Sequence, residues 1–212
     1  MIRYITLLLC LYIAAACNNT PYSSESPVNT EPLPVIGPVE NHKIPDFTFI
    51  NQDSMLVTNA TFKNKIYIAD FFFTYCPTIC PKMTKQMLRM YDVYEKEDRV
   101  LFMSHAIDTK RDTVGRLKEY AMNLGVTSDR WHFLTGDRDA IGEVADDYMS
   151  IVIEDPDAPG GFDHSGRVIL IDKDRQVRSF ADGTNPEDVD RFMRDIDQLL
   201  AEMDAAKPTS TQ

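Results

Sequence analysis

The sequence predicts an α/β fold, with a central mixed β-sheet flanked by helices and preceded by an N-terminal β-hairpin. Two observations support this prediction. Strand-like and helix-like apolar patterns alternate from about residue 44 onward, and a second strand pair with a long helical pattern closes the alternation. The composition is sufficient for a core, because 43% of the residues are hydrophobic.

In the first half of the domain, the pattern predicts a hairpin, a strand and a helix. Residues 47–50 and 55–58 flank the turn-forming residues 52–54, which is typical of a β-hairpin. Residues 65–73 form a nearly continuous apolar run, which indicates a strand buried in the middle of the sheet. Residues 81–94 carry apolar side chains at helical spacing, so we expect a helix there.

In the second half, strands and helices continue to alternate. Residues 99–107 and 131–134 are predicted strands, and the helices that follow them are predicted over 112–124 and 139–149. We expect Gly125 to end the first of these helices, because glycine accepts the left-handed conformation common at that position.

A strand pair and a helix complete the domain. Residues 167–171 and 176–180 flank a polar turn and predict a second hairpin. Asn185 is expected to cap a last helix that has Pro186 in its first turn and runs to about residue 206. This order of elements is thioredoxin-like, and such a fold places its active cysteines at the end of a central strand.

The chain begins with the features of an exported protein. Residues 1–16 combine a short basic start with an apolar run too short to span a bilayer permanently, which is typical of a lipoprotein signal peptide. Small residues precede Cys17, which is then the lipidated first residue of the mature protein. An ordinary secretory signal is the alternative. Both interpretations export the domain, and lipidation anchors it to a bacterial cell membrane, in the periplasm or outside the cell.

A Pro-rich tether, residues 17–43, is predicted between the signal and the folded domain. Residues 18–45 hold six of the twelve prolines and few large apolar side chains, so they cannot bury enough surface to fold alone. The domain is predicted over residues 44–206, followed by a flexible tail at 207–212. A formal net charge of −11 argues against nucleic acid or an anionic membrane surface as a partner.

Two cysteines remain for the folded domain, because Cys10 leaves with the signal and Cys17 carries lipid. Cys76 and Cys80 lie four positions apart at a predicted strand-to-helix junction, so their thiols share one face and can bind one metal ion or close a disulfide. The start of a helix also stabilises a thiolate. We interpret them as a redox-active or metal-binding pair rather than a structural staple.

A histidine lies where a thioredoxin-like reductase usually has a cis-proline, just before the strand at 167–171. His164 follows Gly160 and Gly161, which would let the loop close over a metal. Together with the two thiols, the imidazole completes a soft S₂N donor set. Such a set suits Cu(I), Cu(II) with further ligands, or zinc.

Three segments together resemble the Sco/SenC family: residues 73–81 (FTYCPTICP), residues 104–113 (SHAIDTKRDT), and Asp163-His164-Ser165 followed by Leu170-Ile171-Asp172. The resemblance covers about residues 44–200. Members of this family are membrane-tethered copper chaperones of thioredoxin fold that act in the assembly of cytochrome c oxidase. The chain departs from the usual family pattern at Thr78, Thr109 and Phe162, and none of these departures removes a ligand.

The resemblance implies the site and its partners. Cys76, Cys80 and His164 correspond to the copper ligands of the family, and Asp108 to an acidic residue that helps shape or hand over the site. The implied function is a copper chaperone with a redox-active CxxxC pair, which assists copper insertion into, or thiol maintenance of, the binuclear copper site of cytochrome c oxidase. The implied cargo is Cu(I) or Cu(II). The implied partners are the copper-accepting oxidase subunit and other copper chaperones.

Three other functions are alternatives to copper delivery. A thiol–disulfide oxidoreductase without a metal role usually has CxxC, not CxxxC. A peroxidase of the peroxiredoxin kind needs P-x-x-x-T-x-x-C, which neither cysteine has. A periplasmic copper buffer or sensor without a delivery target stays open. A metallochaperone is therefore favoured over an enzyme.

Several other residues are predicted to be structural. The methionines at the helical spacing of residues 81–94 are expected in the core, and His105 is expected to be buried and hydrogen-bonded. No role is assigned to His42 or His132. The acidic residues 154–157 are predicted to form a solvated loop.

Overall fold

The computed structural model describes residues 31–127 and 129–206. The predicted signal peptide, the predicted lipidation residue Cys17 and the tail at 207–212 therefore lie outside the described residues. Within the described part, no helix has both the length and the apolar composition needed to cross a bilayer.

The described residues form a layered α/β structure. In chain order, its strands are β1 (Thr48–Asn51), β2 (Leu56–Thr58), β3 (Ile66–Phe72), β4 (Val100–Ala106), β5 (Trp131–Thr135), β6 (Val152–Glu154), β7 (Phe162–His164), β8 (Arg167–Ile171) and β9 (Val177–Asp182). The helices are α1 (Cys80–Val93), α2 (Val114–Leu124), α3 (Arg138–Asp147) and α4 (Pro186–Ala205), and a 3₁₀ helix spans Asn59–Phe62.

Seven of the strands form one mixed sheet in the order β2-β1-β5-β4-β3-β8-β9. The three central strands β5, β4 and β3 run parallel. The hairpin β1–β2 joins β5 antiparallel, and the hairpin β8–β9 joins β3 antiparallel. The predicted mixed sheet and both predicted hairpins are confirmed.

Strand β3 positions the cysteines. All seven of its residues are buried, because it pairs with β4 on one side and β8 on the other and is covered on both faces. Burial of each large apolar side chain contributes about 1.5–3 kcal/mol, so a strand of this kind is held firmly. The chain therefore leaves the carboxyl end of β3 from a fixed point toward Cys76 and Cys80.

The predicted helix ends are confirmed. Gly125 ends α2 with a φ of 72°, the left-handed conformation that costs glycine little. The Asn185 side chain accepts hydrogen bonds from the Glu187 and Asp188 N–H groups at the start of α4. Pro186 is the first residue of that helix.

The segment between the predicted helix at 139–149 and the predicted strand at 167–171 is not fully irregular. It contains a two-stranded antiparallel ribbon, β6–β7, which lies outside the main sheet and pairs Val152 with His164. Each strand has three residues, and His164 is the one buried residue among the six. So few buried positions give no alternating apolar pattern, which is why the sequence did not predict this ribbon.

Part of the predicted tether packs against the domain. The Ile36 N–H donates to the Val177 carbonyl at 2.8 Å along the edge of β9, and the Leu33 N–H donates to Glu202 Oε1 at 2.7 Å. His42 Nε2 lies 2.8 Å from the Asp147 carbonyl. Contacts with the domain therefore begin well before residue 44, the predicted boundary.

Candidate metal centre

The two predicted cysteines lie at the junction between β3 and α1. The Cys76 N–H donates to the Phe73 carbonyl at 3.2 Å, which forms a turn just after the strand. Cys80 is the first residue of α1. Both thiols are free, with Cys76 8% and Cys80 3% exposed. Cys76 is thus the cysteine nearer the surface.

The Cys76 sulfur takes part in the start of α1. Ile79, the residue before the helix, makes no side-chain cap. The Cys80 N–H instead donates to Cys76 Sγ at 3.4 Å, and the Thr78 hydroxyl lies 3.7 Å from the same sulfur. Unpaired N–H groups at a helix start stabilise negative charge. This arrangement favours a thiolate at Cys76.

The third predicted ligand reaches the cysteines from the ribbon. His164 ends β7 and is 6% exposed. Its Nε2 lies 3.4 Å from Cys80 Sγ. The ligand atoms of Cys76, Cys80 and His164 all lie within 4.8 Å of one another, and no other group of this kind occurs in the part of the chain that the structure describes.

An aromatic contact positions His164. Its ring meets the Phe73 ring nearly edge to face, with centroids 5.9 Å apart, and Phe162 packs on the same phenyl ring at 5.4 Å. Gly160 also lies against this ring with a φ of +88°, and a Cβ there would lie 2.6 Å from Phe73 Cε2. The ribbon can therefore approach the cysteines only because residue 160 has no side chain.

The surroundings give the three ligands different protonation. Burial raises the pKa of Cys76, but hydrogen bonds from the Cys80 side chain and the Thr78 and Cys80 N–H groups outweigh it and leave this pKa below its ordinary value. Burial, with the neighbouring Cys76, raises the pKa of Cys80 well above its ordinary value. Burial lowers the pKa of His164, which keeps the imidazole neutral near pH 7.

This donor set fits a soft metal ion. A low thiol pKa and a neutral imidazole make Cys76 and His164 ready to bind, whereas Cys80 must first lose its proton. Two thiolates and one imidazole suit Cu(I) or zinc better than hard cations such as Mg²⁺. The same two sulfurs can also form a disulfide.

Asp108 lies beside the site but not among its ligand atoms. It follows β4, is 4% exposed and forms an ion pair with Arg111. Arg111 Nη2 also donates to the Gly160 carbonyl at 3.3 Å. The guanidinium group thus links this buried carboxylate to the loop that leads into β7.

A second buried carboxylate supports the turn before Cys76. Asp112, fully buried, accepts hydrogen bonds from the Thr74 N–H at 3.1 Å and from the Thr74 hydroxyl at 2.5 Å. Arg116 Nε donates to the same hydroxyl at 3.2 Å. Neither Asp112 nor Thr74 was a predicted site residue, although both lie in the segments that carry the resemblance.

A third buried carboxylate was missed because it lies inside an apolar strand. Asp70 is 3% exposed, and the Ser104 hydroxyl donates to it while accepting from Trp131 Nε1 at 2.9 Å. Burial raises the pKa of Asp70 to about 7. Its charge in turn contributes to the raised pKa of Cys80. A single acidic residue within a long apolar run does not change the prediction of a strand, so nothing in the sequence indicated that Asp70 is buried beside the site.

The other histidines lie away from the site. His105 is fully buried, stacked on Phe71 at 4.9 Å and meeting Phe49 edge on at 5.3 Å. Burial lowers its pKa to about 3. Neither ring nitrogen has a hydrogen-bond partner, so the prediction of burial is confirmed and that of hydrogen bonding is wrong. His132 is buried near Asn51, with 3.4 Å between the side-chain nitrogens.

Two further structural predictions can be compared with the fold. The side chains of Met83, Met87 and Met90 are at most 1% exposed, which confirms that they belong to the core. Glu154 is exposed, as expected, and forms an ion pair with Arg138, but it ends strand β6, so the prediction of a loop is wrong at this residue.

Comparison with known proteins gives a consistent result. The SCO1/SenC family model matches residues 38–201. A SCO1/SenC family lipoprotein from Bacillus anthracis str. Ames is 28% identical, with a TM-score of 0.68 over 76% of this chain and 96% of its own. BsSco, a member of the Sco family of cytochrome c oxidase assembly proteins in which a disulfide switch was identified, is 29% identical, with a TM-score of 0.65 over 78% and 98%. Arabidopsis thaliana ScoI, solved with copper bound, is 25% identical, with a TM-score of 0.63 over 74% and 98%.

These likenesses confirm the predicted thioredoxin-like fold. The matched residues 38–201 make up most of the 212-residue chain and include the clustered Cys76, Cys80 and His164. The chain therefore belongs to the SCO1/SenC family.

Proposed function

We propose that this protein is a membrane-tethered copper chaperone that assists copper insertion into the binuclear copper site of cytochrome c oxidase, or keeps the thiols of that site reduced. The observation that carries the proposal is the clustering of the Cys76, Cys80 and His164 ligand atoms within 4.8 Å. The copper bound to Arabidopsis ScoI and the description of BsSco as an oxidase assembly protein support it.

Copper loading is coupled to protons. The raised pKa of Cys80 means that this thiol loses its proton when copper binds, whereas the lowered pKa values of Cys76 and His164 favour their binding forms. Loading therefore releases protons, and the apparent copper affinity increases as the pH rises.

Oxidation of the cysteines opposes copper binding. A disulfide between Cys76 and Cys80 removes two of the three ligands at once. The same disulfide forms when the protein reduces a target: the Cys76 thiolate attacks a disulfide of the target and one target thiolate leaves. Cys80 then loses its proton, attacks the mixed disulfide and releases the second target thiol. The target gains two electrons and the chaperone loses two. Cys76 is the attacking residue because it has the lower pKa and the greater exposure.

A thiol–disulfide oxidoreductase without a metal role is the second candidate. The opposite pKa shifts of Cys76 and Cys80 favour it, because an attacking thiolate and a resolving thiol need that difference. An oxidoreductase without a metal does not explain why His164 lies close to Cys80. For this reason we place it second.

Copper titration under reducing conditions separates the two functions. The full-length protein in non-ionic detergent is expected to bind one Cu(I) per chain, competing with a chromogenic Cu(I) chelator. The Cys76→Ser and Cys80→Ser variants are expected to lose at least a hundredfold in affinity, and His164→Ala about tenfold or more. His42→Ala, a histidine removed from the ligand cluster, serves as the control and is expected to match the wild type.

Two outcomes of this titration would contradict the copper site. If the wild type binds no copper, or if the serine variants bind it as tightly as the wild type, the copper site is rejected. Rapid reduction of a disulfide substrate by wild type and His164→Ala alike would then support the oxidoreductase.

We also propose that the domain is exported and anchored through lipid on Cys17. Of the predicted tether, residues 17–43, the part before residue 31 then links the anchor to the Sco domain, because Leu33 and Ile36 already contact that domain. The lipoprotein from Bacillus anthracis supports this arrangement. A diacylglycerol-modified Cys17 in the mass spectrum of the mature protein is expected. Cys17→Ser is expected to move the protein from the membrane fraction, and retention of the variant in that fraction would reject the anchor.

A further inference from the structure

Positive charge is concentrated beside Cys76, although the chain as a whole is acidic. In the segment from Asp108 to Glu119, the four cationic residues are exposed or half-buried: Lys110, Arg111, Arg116 and Lys118. Two of its three acidic residues, Asp108 and Asp112, are buried. An approaching molecule therefore meets mainly cations on this segment, whereas the formal charge of the whole chain is −11.

These cations surround an exposed aromatic ring next to the attacking cysteine. Tyr75 directly precedes Cys76 and is 54% exposed. The guanidinium carbons of Arg116 and Arg111 lie 4.9 Å and 5.7 Å from the centre of its ring. Exposed aromatic and arginine side chains are enriched where proteins bind one another. Cation–π contacts hold both guanidinium groups at this surface.

The positive charge is only partly neutralised. Arg111 is paired with the buried Asp108, whereas Arg116 is paired with Glu119, whose side chain is 63% exposed. An ion pair with so exposed a carboxylate is weak and exchanges readily. Among the described residues, none forms an ion pair within 4 Å with Lys110. Beside the larger effect of Arg138, the charge of Lys110 lowers the pKa of Glu154.

We propose that Tyr75, Lys110, Arg111 and Arg116 form a docking face that binds an acidic surface of the protein that exchanges copper or thiols with Cys76. This inference rests on the proposed function, of which it specifies the partner. Acidic groups of the partner pair with the three cations and bring its cysteines over Cys76.

Negative charge on the loop and ribbon that carry His164 adjoins the docking face, where Arg111 donates to the Gly160 carbonyl, and it limits how a partner can be oriented. Asp157 and Asp163 are exposed on the loop and ribbon that carry His164. An acidic partner surface is repelled there and attracted at the docking face, so electrostatics favours approach from the Cys76 side.

Peptide binding tests the docking face without using thiols or copper. Two synthetic peptides with a central serine are compared. The glutamate peptide has two glutamates on each side of the serine, and the lysine peptide has two lysines on each side. The full-length protein in non-ionic detergent at low ionic strength is expected to bind the glutamate peptide at least threefold more tightly. The charge of −11 predicts the reverse preference if only the whole molecule matters.

Two charge reversals locate the effect. Lys110→Glu is expected to abolish the preference for the glutamate peptide. Arg194→Glu on α4 changes the charge equally at an exposed position outside the docking face, and is expected to leave the preference unchanged. Stronger binding of the lysine peptide by the wild type, or equal effects of the two variants, would overturn the proposal.

A second experiment separates this proposal from the proposed function. The central serine of each peptide is replaced by cysteine, and two copies of the same peptide are joined through a disulfide. The reduced protein is expected to reduce the glutamate disulfide faster than the lysine disulfide, with the ratio falling toward one near 0.5 M salt. A preference in binding without any disulfide reduction would count against thiol maintenance alone. Reduction of both peptides at equal rates would count against the docking face alone.

Discussion

At the residue scale, the site depends on how three side chains are protonated, and buried carboxylates surround them. The sequence predicted Cys76, Cys80 and His164, since rare residue types at a strand end and beside glycines are visible without a structure. It could not predict the raised pKa of Cys80 or the burial of Asp70, because both depend on which side chains pack around them after folding.

The raised pKa of Asp70 makes the stability of the fold depend on pH. The native state keeps this carboxyl protonated up to a pH of about 7, whereas the unfolded chain loses the proton near pH 3.8. The native state therefore binds more protons in this window, and its stability falls as the pH rises from about 4 to 7. Ionisation of Asp70 lowers the free energy of unfolding by up to roughly 4 kcal/mol over this pH range.

Asp70→Asn removes this titration while keeping an acceptor for the Ser104 hydroxyl. The urea midpoint of the wild type is expected to fall more between pH 4 and pH 7 than that of the variant, at equal m-values. Parallel midpoint changes in the two proteins would mean that Asp70 is ionised in the native state throughout.

At the element scale, the ribbon β6–β7 positions His164, the third proposed ligand. The main strands and helices were predicted to within a few residues, because each buries a periodic row or a continuous run of apolar side chains. The ribbon was not, since its strands have three residues each and only His164 among them is buried. A feature fixed by one glycine contact and a few hydrogen bonds leaves little trace in the sequence.

Gly160 and Gly161 allow a matched test of how the ribbon is placed. Both have a φ near +90°, so an alanine at either position carries similar backbone strain. A Cβ at residue 160 also meets the buried Phe73 ring, whereas a Cβ at residue 161 meets nothing within 4 Å. Gly160→Ala is therefore expected to destabilise the fold by about 1–3 kcal/mol more than Gly161→Ala.

The Gly160→Ala and Gly161→Ala variants are also expected to differ in copper affinity, because Phe73, which a Cβ at residue 160 would meet, contacts His164. Gly160→Ala should weaken Cu(I) binding severalfold, and Gly161→Ala much less, in the chelator competition. Equal affinities would show that the position of His164 does not depend on this contact.

At the scale of the whole molecule, residues 31–43 form a strap along the edge of β9. Their proline-rich composition predicted a free tether, because they contain too few apolar residues to fold alone. The strap nevertheless finds partners on the finished domain: Arg178 donates to the carbonyls of Leu33 and Pro34, and Ile36 pairs with Val177. The composition of a segment indicates whether it can fold alone, but not whether the edge of a neighbouring strand has hydrogen-bonding groups that can pair with it.

A chain that starts at residue 31 is expected to be more stable than one that starts at residue 44. Loss of the strap removes the hydrogen bond of Ile36 to the Val177 carbonyl and those of Arg178 to the Pro34 and Leu33 carbonyls. Each such bond contributes about 0.5–1.5 kcal/mol net. Urea unfolding of both chains at pH 7 measures the difference. Identical midpoints would place the start of the folded domain at residue 44, as the sequence predicted.

The positions of the three ligand atoms have a consequence for unfolding. Cys80 and His164 are 84 residues apart in the chain but 3.4 Å apart in space. A copper ion held by both acts as a cross-link that closes this long loop, and the chain-entropy model gives a covalent link of such length on the order of 4 kcal/mol. With copper on these proposed ligands, the copper-loaded protein is therefore expected to have a higher free energy of unfolding than the copper-free protein.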